Sequence, residues 1–395
     1  MHAMRLAGLI LAAALGGMAP AAAMTVDEVI AKNIEARGGA ANWSKVESIV
    51  MSGEFTAFSK VAPFELKRTS DDKYYLDHVL DDKRVVIGYD GEVAWWDHAW
   101  MMPGAQKITG VDLGVLMQEV DFPSALFDYR EKGYKARLIG EAEFEGMPSI
   151  AIELTRPDAS VETWHLDRET YLEIGRISPG SDFGTPMEQR TFFDDYRQVD
   201  GVVIPFVQEW QWYTRDRILL VEKVELNAGV DETIFAMPPP PGMSELLPLV
   251  GSWDVKVEQT QYPGADWEES SRRATIESQL NGGLLQERFA TEDGDEVVRT
   301  FTYDRFENTY RISMINSRST QLDICEGAKQ DGRIVATNLE TGVKQYAFGG
   351  EMQFHHQVSL FDVTADGFKV EHARSRDGGE NWFTFMKLTY SRASS

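Results

Sequence analysis

A single cysteine, Cys325, is all the thiol chemistry the 395 residues hold. Neither an intramolecular disulfide nor a thiolate metal cluster can therefore form. Nucleophilic use of Cys325 would need a positioned histidine that no local pattern supplies, so it reads as a small core residue. Basic residues are scarce too: 39 Lys and Arg stand against 63 Asp and Glu, a formal net charge of −24. Nucleic acid and anionic membrane surfaces need clustered cations, so both are excluded as partners. The chain also lacks a phosphate-binding glycine loop with lysine, an H-E-x-x-H, a G-x-S-x-G and a dinucleotide fingerprint. No catalytic residue, no metal ligand and no cofactor is assigned, and the expectation is a protein without enzymatic activity.

Long apolar runs are missing as well. Leu6–Leu15 is too short to span a bilayer; with Arg5 before it and Ala21-Ala22-Ala23 after it, it reads as the core of a secretory signal, residues 1–23. No later stretch is apolar enough for a membrane anchor, so the expected location is periplasmic or secreted. Proline is sparse except at Pro238-Pro239-Pro240-Pro241. A run of four cannot continue a helix or a central strand and favours a stiff, extended spacer. Strand patterns stop before it and restart at Gly251-Ser252-Trp253. The chain is therefore expected to divide into a domain at 24–237, a proline linker at 238–246 and a second domain at 247–392.

The first domain opens on Thr25-Val26-Asp27-Glu28, a capping box. Val26, Val29, Ile30, Asn33, Ile34 and Arg37 follow on one helical stripe, closed by Gly38-Gly39. Ala40–Val46 forms a shorter helical turn carrying Trp43. Strand patterns come next, with hairpin turns at Asp90-Gly91 and Glu145-Gly146. Asp112–Gln118 and Ser124–Lys132, broken around Pro123, read as apolar helices set into the meander. Trp95, Trp96, Trp100, Met101 and Met102 crowd one short stretch. Large, adaptable apolar side chains there suit a cavity mouth or lid that meets a greasy ligand, with packing of a strand end as the competing reading. Leu113, Leu116, Met117, Leu126 and Phe127 of the helical insert carry the same two readings. His98 beside Asp97, and His78 beside Asp77, make poor acid–base pairs, because neighbours on a strand point to opposite faces; they read as exposed lone histidines.

Several motifs in this half carry a resemblance. Glu35-Ala36-Arg37-Gly38-Gly39-Ala40-Ala41-Asn42-Trp43 with Gly53, then Tyr89-Asp90-Gly91, Phe122–Gly133, Trp164-His165-Leu166-Asp167, Asp195-Tyr196-Arg197, Asp200-Gly201-Val202 and Pro205 occur in the order found in the periplasmic outer-membrane lipoprotein-sorting (lipoprotein carrier) superfamily. The region Thr25–Met237 resembles that superfamily. The resemblance implies an incomplete barrel with a helical lid over an apolar cavity that can hold acyl chains, and brings no catalytic residues.

The second half reads as about ten short strands with Gly or Asp turns, a closed meander barrel. Gly251-Ser252-Trp253 is similar to the start of lipocalin-like and fatty-acid-binding (calycin) barrels, which implies Trp253 as a structural plug of the closed end. Leu280-Asn281-Gly282-Gly283 and Tyr303-Asp304 with Asn308-Thr309-Tyr310 make Leu246–Arg392 resemble a bacterial calycin-like domain family of unknown function. Ser375–Trp382 resembles the Asp-box of sialidase propellers; as a single copy it is a hairpin device in which Asp377 bonds turn amides. His355 and His356 face opposite sides of a strand, so at most one points inward; with His372 they read as satisfied histidines rather than ligands.

The fold class expected is therefore mainly β, an incomplete barrel with a helical lid followed by a closed calycin-like barrel. The function expected is an exported, non-catalytic binding or carrier protein for a hydrophobic small molecule or lipid. An envelope hydrolase using carboxylates at a barrel mouth, or a scaffold for an envelope protein, stand as the alternatives.

Overall fold

A computed structural model describes residues 24–213, 215–347, 350 and 352–393. The expected signal segment, 1–23, lies outside the described residues. No described helix is long and apolar enough to cross a membrane.

The protein is mainly β. Its first strands are β1 to β6, at Ser48–Ala57, Lys60–Thr69, Tyr74–Leu80, Lys83–Tyr89, Ala94–His98 and Gln106–Lys107. After the helical insert come β7 to β13, at Lys135–Phe144, Met147–Thr155, Val161–Asp167, Glu173–Asp182, Thr185–Val199, Val202–Trp212 and Arg215–Leu226. They pair in the order β6-β5-β4-β3-β2-β1-β13-β12-β11-β10-β9-β8-β7. The expected incomplete barrel is this large, uncurled antiparallel sheet, whose end strands β6 and β7 do not pair. Alternation sets its faces: along β3 every second residue, from Tyr74 to Leu80, is buried.

The chain groups into two compact units. Of the described residues, one holds those up to Lys45 with Pro123–Pro179 and Met187–Tyr213; the other holds Val46–Phe122, Gly180–Pro186 and those after Tyr213. In the first unit, helix α1 (Val26–Ala36) starts on the capping box foreseen: Glu28 N–H donates to Thr25 Oγ1 (3.3 Å) and Thr25 N–H to Glu28 Oε2 (2.7 Å). Val29 and Ile30 pack in one apolar cluster with Leu126, Tyr129, Ile152 and Trp164. The short helix α2 (Ala40–Trp43) follows. Arg37 is buried and makes an ion pair from Nη1 to Glu173 Oε1 (2.8 Å), while its Nε donates to the Val203 carbonyl (2.8 Å). Trp43 Nε1 donates to the Arg37 carbonyl (2.8 Å), and Tyr196 OH to Glu173 Oε2 (3.1 Å). Three of the motifs that carried the carrier-superfamily resemblance, Glu35–Trp43, Asp195-Tyr196-Arg197 and Asp200-Gly201-Val202, thus meet here, Asn42 Nδ2 donating to the Gly201 carbonyl (3.2 Å).

Ser124–Lys132 is a run of turns, not a helix. Pro123 has no N–H to donate, and Asp128 adopts a left-handed φ of 51°. In the second unit, helix α3 (Gly110–Val120) does form, spanning the expected Asp112–Gln118. Both of its ends are tethered. Asp112 Oδ1 accepts from Ser181 Oγ (2.5 Å) and Gly184 N–H (3.1 Å), and Arg68 Nη2 donates to the Asp121 carbonyl beyond its last turn.

The closed barrel also belongs to the second unit. Its strands are β14 to β24: Gly251–Gln259, Glu268–Gln279, Leu284–Ala290, Glu296–Asp304, Thr309–Asn316, Asp323–Gln330, Arg333–Thr337, Gln345–Ala347, Met352–Phe361, Gly367–Ser375 and Phe383–Arg392. The order β20-β19-β18-β17-β16-β15-β14-β24-β23-β22 closes through β20–β22, and β21 pairs beside β22. Trp253, Val255, Ile276, Leu285, Phe301, Ile312, Val358, Val370 and Leu388 form one buried apolar cluster inside the barrel. Met243, Leu246 and Leu249, from two single helical turns after the prolines, are buried in the same cluster. At the β23–β24 turn, Asp377 Oδ1 accepts from Asn381 N–H (3.0 Å), the hairpin device read from the sequence. Among the described residues, no strand pairing crosses the proline run.

Candidate functional site

The aromatic residues singled out in the sequence separate on folding. Trp95 and Trp96 alternate on β5, so they face opposite ways. Trp95 is buried with Val86 and Ala105, and its Nε1 donates to the Phe235 carbonyl (2.7 Å). Its ring lies so close to Gly88 that a Cβ there would fall 2.3 Å from it, which requires glycine at 88. Trp95 is therefore a core residue. Leu126 and Phe127 are likewise core residues of the first unit: Leu126 in the α1 cluster, Phe127 edge-on to Trp43 at 5.9 Å. On α3, Leu116 is buried, while Leu113 and Met117 are half-buried.

Trp96, Trp100, Met101 and Met102 stay at or near the surface. Two residues that the sequence reading missed join them. Phe58, at the β1–β2 turn, stacks on Trp100 (6.1 Å, 17°). Phe183, at the β10–β11 turn, meets His98 edge-on (5.5 Å), and Trp96 and Trp100 do the same at 6.0 and 6.3 Å. Phe58, Trp100, Met101 and Phe183 are 46%, 39%, 46% and 45% exposed. They form an apolar rim around a buried histidine, close to where α3 is tethered by Ser181 and Gly184.

The rim carries local cost. Phe58 and Phe183 sit at φ of 51° and 49°, left-handed values that a bulky L-residue adopts only against steric strain. Asn or Gly would hold either turn more cheaply. Below the rim, His78 and His98 are both buried, not exposed as the sequence reading has them. They flank Val85 across three strands, and in each the Nδ1 lacks a hydrogen-bond partner. Burial, reinforced by Arg217 and His98, drives the His78 pKa down to about 3. Burial, then Arg217, lowers His98 as well, so both buried histidines are uncharged at neutral pH.

The barrel holds a second group. On the inward side of its strands the apolar layer gives way to a polar one. Glu287 and Arg299 are direct cross-strand partners. Arg299 Nη1 lies 3.0 Å from Glu287 Oε2, an ion pair without hydrogen-bond alignment, and Tyr390 OH donates to Glu287 Oε1 (2.7 Å). Arg299 Nη2 contacts His372 Nε2 (3.1 Å), His372 Nδ1 contacts His356 Nε2 (2.9 Å), and His356 Nδ1 contacts Asp323 Oδ2. Asn338 Nδ2 closes the far end on Asp323 Oδ1 (2.9 Å). All five residues of the chain from Glu287 to Asp323, and Tyr390 beside them, are buried.

The protons in this chain have one consistent placement. Arg299 can only donate, so His372 Nε2 must accept and His372 carries its proton on Nδ1. That proton is donated to His356 Nε2, so His356 carries its own proton on Nδ1 and donates it to the Asp323 carboxylate. Both imidazoles are neutral. Burial first, then the positive Arg299, holds His372 well below the ordinary histidine pKa. Burial alone would raise Asp323, but its bonds from His356 and Asn338 prevail and hold it below the ordinary carboxylate value.

This polarity decides two chemical questions. Ligand atoms of Asp323, Cys325 and His356 lie within 4.8 Å of one another. A metal there would need the Nδ1 lone pair of His356, which Arg299, acting through His372, fills with a proton; the residues do not fit an ion in this arrangement. Cys325 Sγ is 4.0 Å from the same Nδ1, so the positioned histidine missing from the sequence reading does exist. It cannot act as a base there, because its Nδ1 is the donor to Asp323, and burial pushes the thiol pKa up. Glu287 is paired with Arg299 and Tyr390 and Asp323 with His356 and Asn338, so neither is the free carboxylate that the hydrolase alternative requires. His355 points away from the interior group, as the alternation demands.

The barrel should lose stability in mild acid. The folded pKa of His372 is depressed, so below about pH 6.5 the unfolded chain binds a proton that the folded chain refuses. Stability is full above that pH and falls by up to about 1.4 kcal/mol per pH unit for such a group. Asp323 adds a further loss below its unfolded value near 3.8. Melting temperatures from pH 8 to 4 would check this: His372→Gln should flatten the decline, and a wild-type profile flat between pH 7 and 5 would refute it.

No curated protein matches the chain. Among solved structures, the N-terminal part is similar to a DUF1329 family protein from Desulfovibrio piger (13% identity, TM-score 0.36, covering 54% of this chain and 97% of the other). It is also similar to the LolA superfamily protein NE2245 from Nitrosomonas europaea (13%, 0.37, 54% and 98%). Rv2717c from M. tuberculosis is similar at 11% identity and TM-score 0.29, covering 40% of this chain and 100% of the other. Residues 243–392, the barrel with the two turns before it, match the model of DUF1579, a protein family of unknown function.

Proposed function

We propose that the protein is an exported binding or carrier protein for a hydrophobic ligand, a lipid, an acyl chain or a lipoprotein moiety, and that it works without catalysis. Export through residues 1–23 and a periplasmic or secreted location belong to this reading, as does the division into a first domain at 24–237 and a barrel domain at 247–392. The observation that carries it is the rim of Phe58, Trp100, Met101 and Phe183, about half exposed on the open sheet. Bulky aromatics held at strained turn positions, over a sheet whose buried histidines are uncharged, do nothing for folding that Asn would not do better. They make sense as a contact surface for apolar matter. Each methylene taken from water against them contributes about 0.8 kcal/mol.

The test separates folding from binding. Asn tolerates the left-handed turn, so the double variant Phe58→Asn, Phe183→Asn should fold with an unchanged or slightly raised melting temperature. Lipid extracted from freshly purified wild type, and native mass spectra of it, should show bound amphiphile. The variant should retain it about tenfold less well or worse. Wild type free of lipid, or equal lipid in both proteins, would sink the reading.

A further inference from the structure

Among the described residues, the guanidinium of Arg272 is the one cation of the barrel's polar layer that the chain through Glu287, Arg299, His372, His356 and Asp323 does not absorb. Arg272 lies on β15 opposite Val255, on the inward side shared with Ala274 and Ile276. Its Nε and Nη2 are both shielded from solvent and have no hydrogen-bond partner. Those two N–H groups form one edge of the guanidinium fork and point the same way, which is the spacing of two carboxylate oxygens. The Nε of the fully buried Arg299 is also unpartnered. The two carboxylates of the layer are spent elsewhere: Glu287 on Arg299 and Tyr390, Asp323 on His356 and Asn338. Among the described residues, none offers a carboxylate within ion-pair distance of Arg272.

The surroundings are partly apolar. Arg272 lies 3.6 Å over the Phe289 ring, and Phe289 and Met386 are half-buried against the barrel core. A donor pair left unmade in such a place is costly unless something supplies the acceptors. Burial first, then the neighbouring Arg299, holds the Arg272 pKa below the ordinary arginine value, against the opposing pull of Tyr390 and Glu287.

We propose that the free edge of Arg272 is a binding site for a carboxylate, seated at the polar end of the barrel with its apolar part against Phe289 and Met386. The site is separate from the aromatic rim and does not depend on the reading drawn from it. A short carboxylate and the head of a fatty acid present the same two oxygens, so the test must tell them apart.

Full-length protein would be titrated calorimetrically with sodium butyrate, with sodium palmitate below micelle formation, and with hexadecanol as an uncharged control. Wild type should bind at least one of the two carboxylates. Arg272→Gln, which removes an unpaired buried charge and should fold, should weaken that binding about tenfold or more, and Arg272→Lys, which keeps the charge but not the fork, should weaken it as well. Hexadecanol should not distinguish the variants. Butyrate binding would identify the oxyanion itself as sufficient; palmitate binding alone, with the same loss in Arg272→Gln, would assign the site to a fatty acid. Carboxylate binding that is equal in wild type and Arg272→Gln, or no binding to correctly folded wild type, in which case water meets the donors, would overturn the proposal. Lipid loss in the rim variant has no bearing on this outcome.

Discussion

Truncating Glu287 to alanine is expected to cost the barrel about 3–5 kcal/mol, the cost of removing one partner of a buried ion pair. Glu287 is completely inaccessible, and Arg299 nearly so. With Glu287 present, the Arg299 cation has a carboxylate 3.0 Å away and Tyr390 has an acceptor at 2.7 Å. With it gone, a buried guanidinium loses its counter-charge and a buried phenol its acceptor at once. Asp323 cannot substitute, because two imidazoles separate it from Arg299. The pair itself need not be a net source of stability: desolvating two charges offsets most of their attraction. The double variant Glu287→Leu, Arg299→Met should therefore be far milder than Glu287→Ala alone. Urea unfolding followed by tryptophan fluorescence would give both values. A single variant within about 1 kcal/mol of wild type would mean that the arginine charge is not confined as the structure places it.

The same layer shows where sequence reading ran out. Strand alternation and Gly or Asp turns located nearly every barrel strand, because each signal is local and repeats along the chain. The polar layer is not local. Its members come from seven strands and touch only when the barrel closes. A signal was present all the same: Arg272, Glu287, Arg299, His356 and His372 occupy the inward phase of strands whose other inward residues are apolar. Charge on that phase marks a buried network, whereas charge on the other phase is ordinary surface. The aromatic rim failed differently. The cluster from Trp95 to Met102 was visible as composition, yet composition could not say that Trp95 would fill a gap over Gly88 while Trp100 stayed outside. Phe58 and Phe183 were overlooked because turns are expected to hold Asn, Asp or Gly; a phenylalanine in that position was the clue. Ser124–Lys132 looked helical by its apolar spacing, but Pro123 and the left-handed Asp128 prevailed over the pattern.

Trp253→Ala should be of similar size to the Glu287 truncation, for the opposite reason: it removes packing, not charge balance. The indole is fully buried, edge-on to Phe368 at 4.9 Å and to Tyr390 at 6.4 Å, with the Arg392 guanidinium 3.9 Å over its face. Deleting a buried aromatic of this kind costs about 3–5 kcal/mol, part transfer and part cavity. There is a second consequence. Trp253 Nε1 donates to the Leu249 carbonyl (2.8 Å), which ties the strand to the turn that buries Met243, Leu246 and Leu249 in the same cluster. Loss of the indole therefore loosens the closure of the barrel's apolar end as well as its core. Trp253→Phe separates the two effects: it keeps most of the ring contacts and forfeits the hydrogen bond, at about 1–2 kcal/mol. Far-ultraviolet circular dichroism during urea unfolding should rank wild type, Phe and Ala in that order. Native-state hydrogen exchange should show the 243–249 amides opening earlier in both variants, and an alanine variant as stable as wild type would mean that the closed end does not depend on this residue.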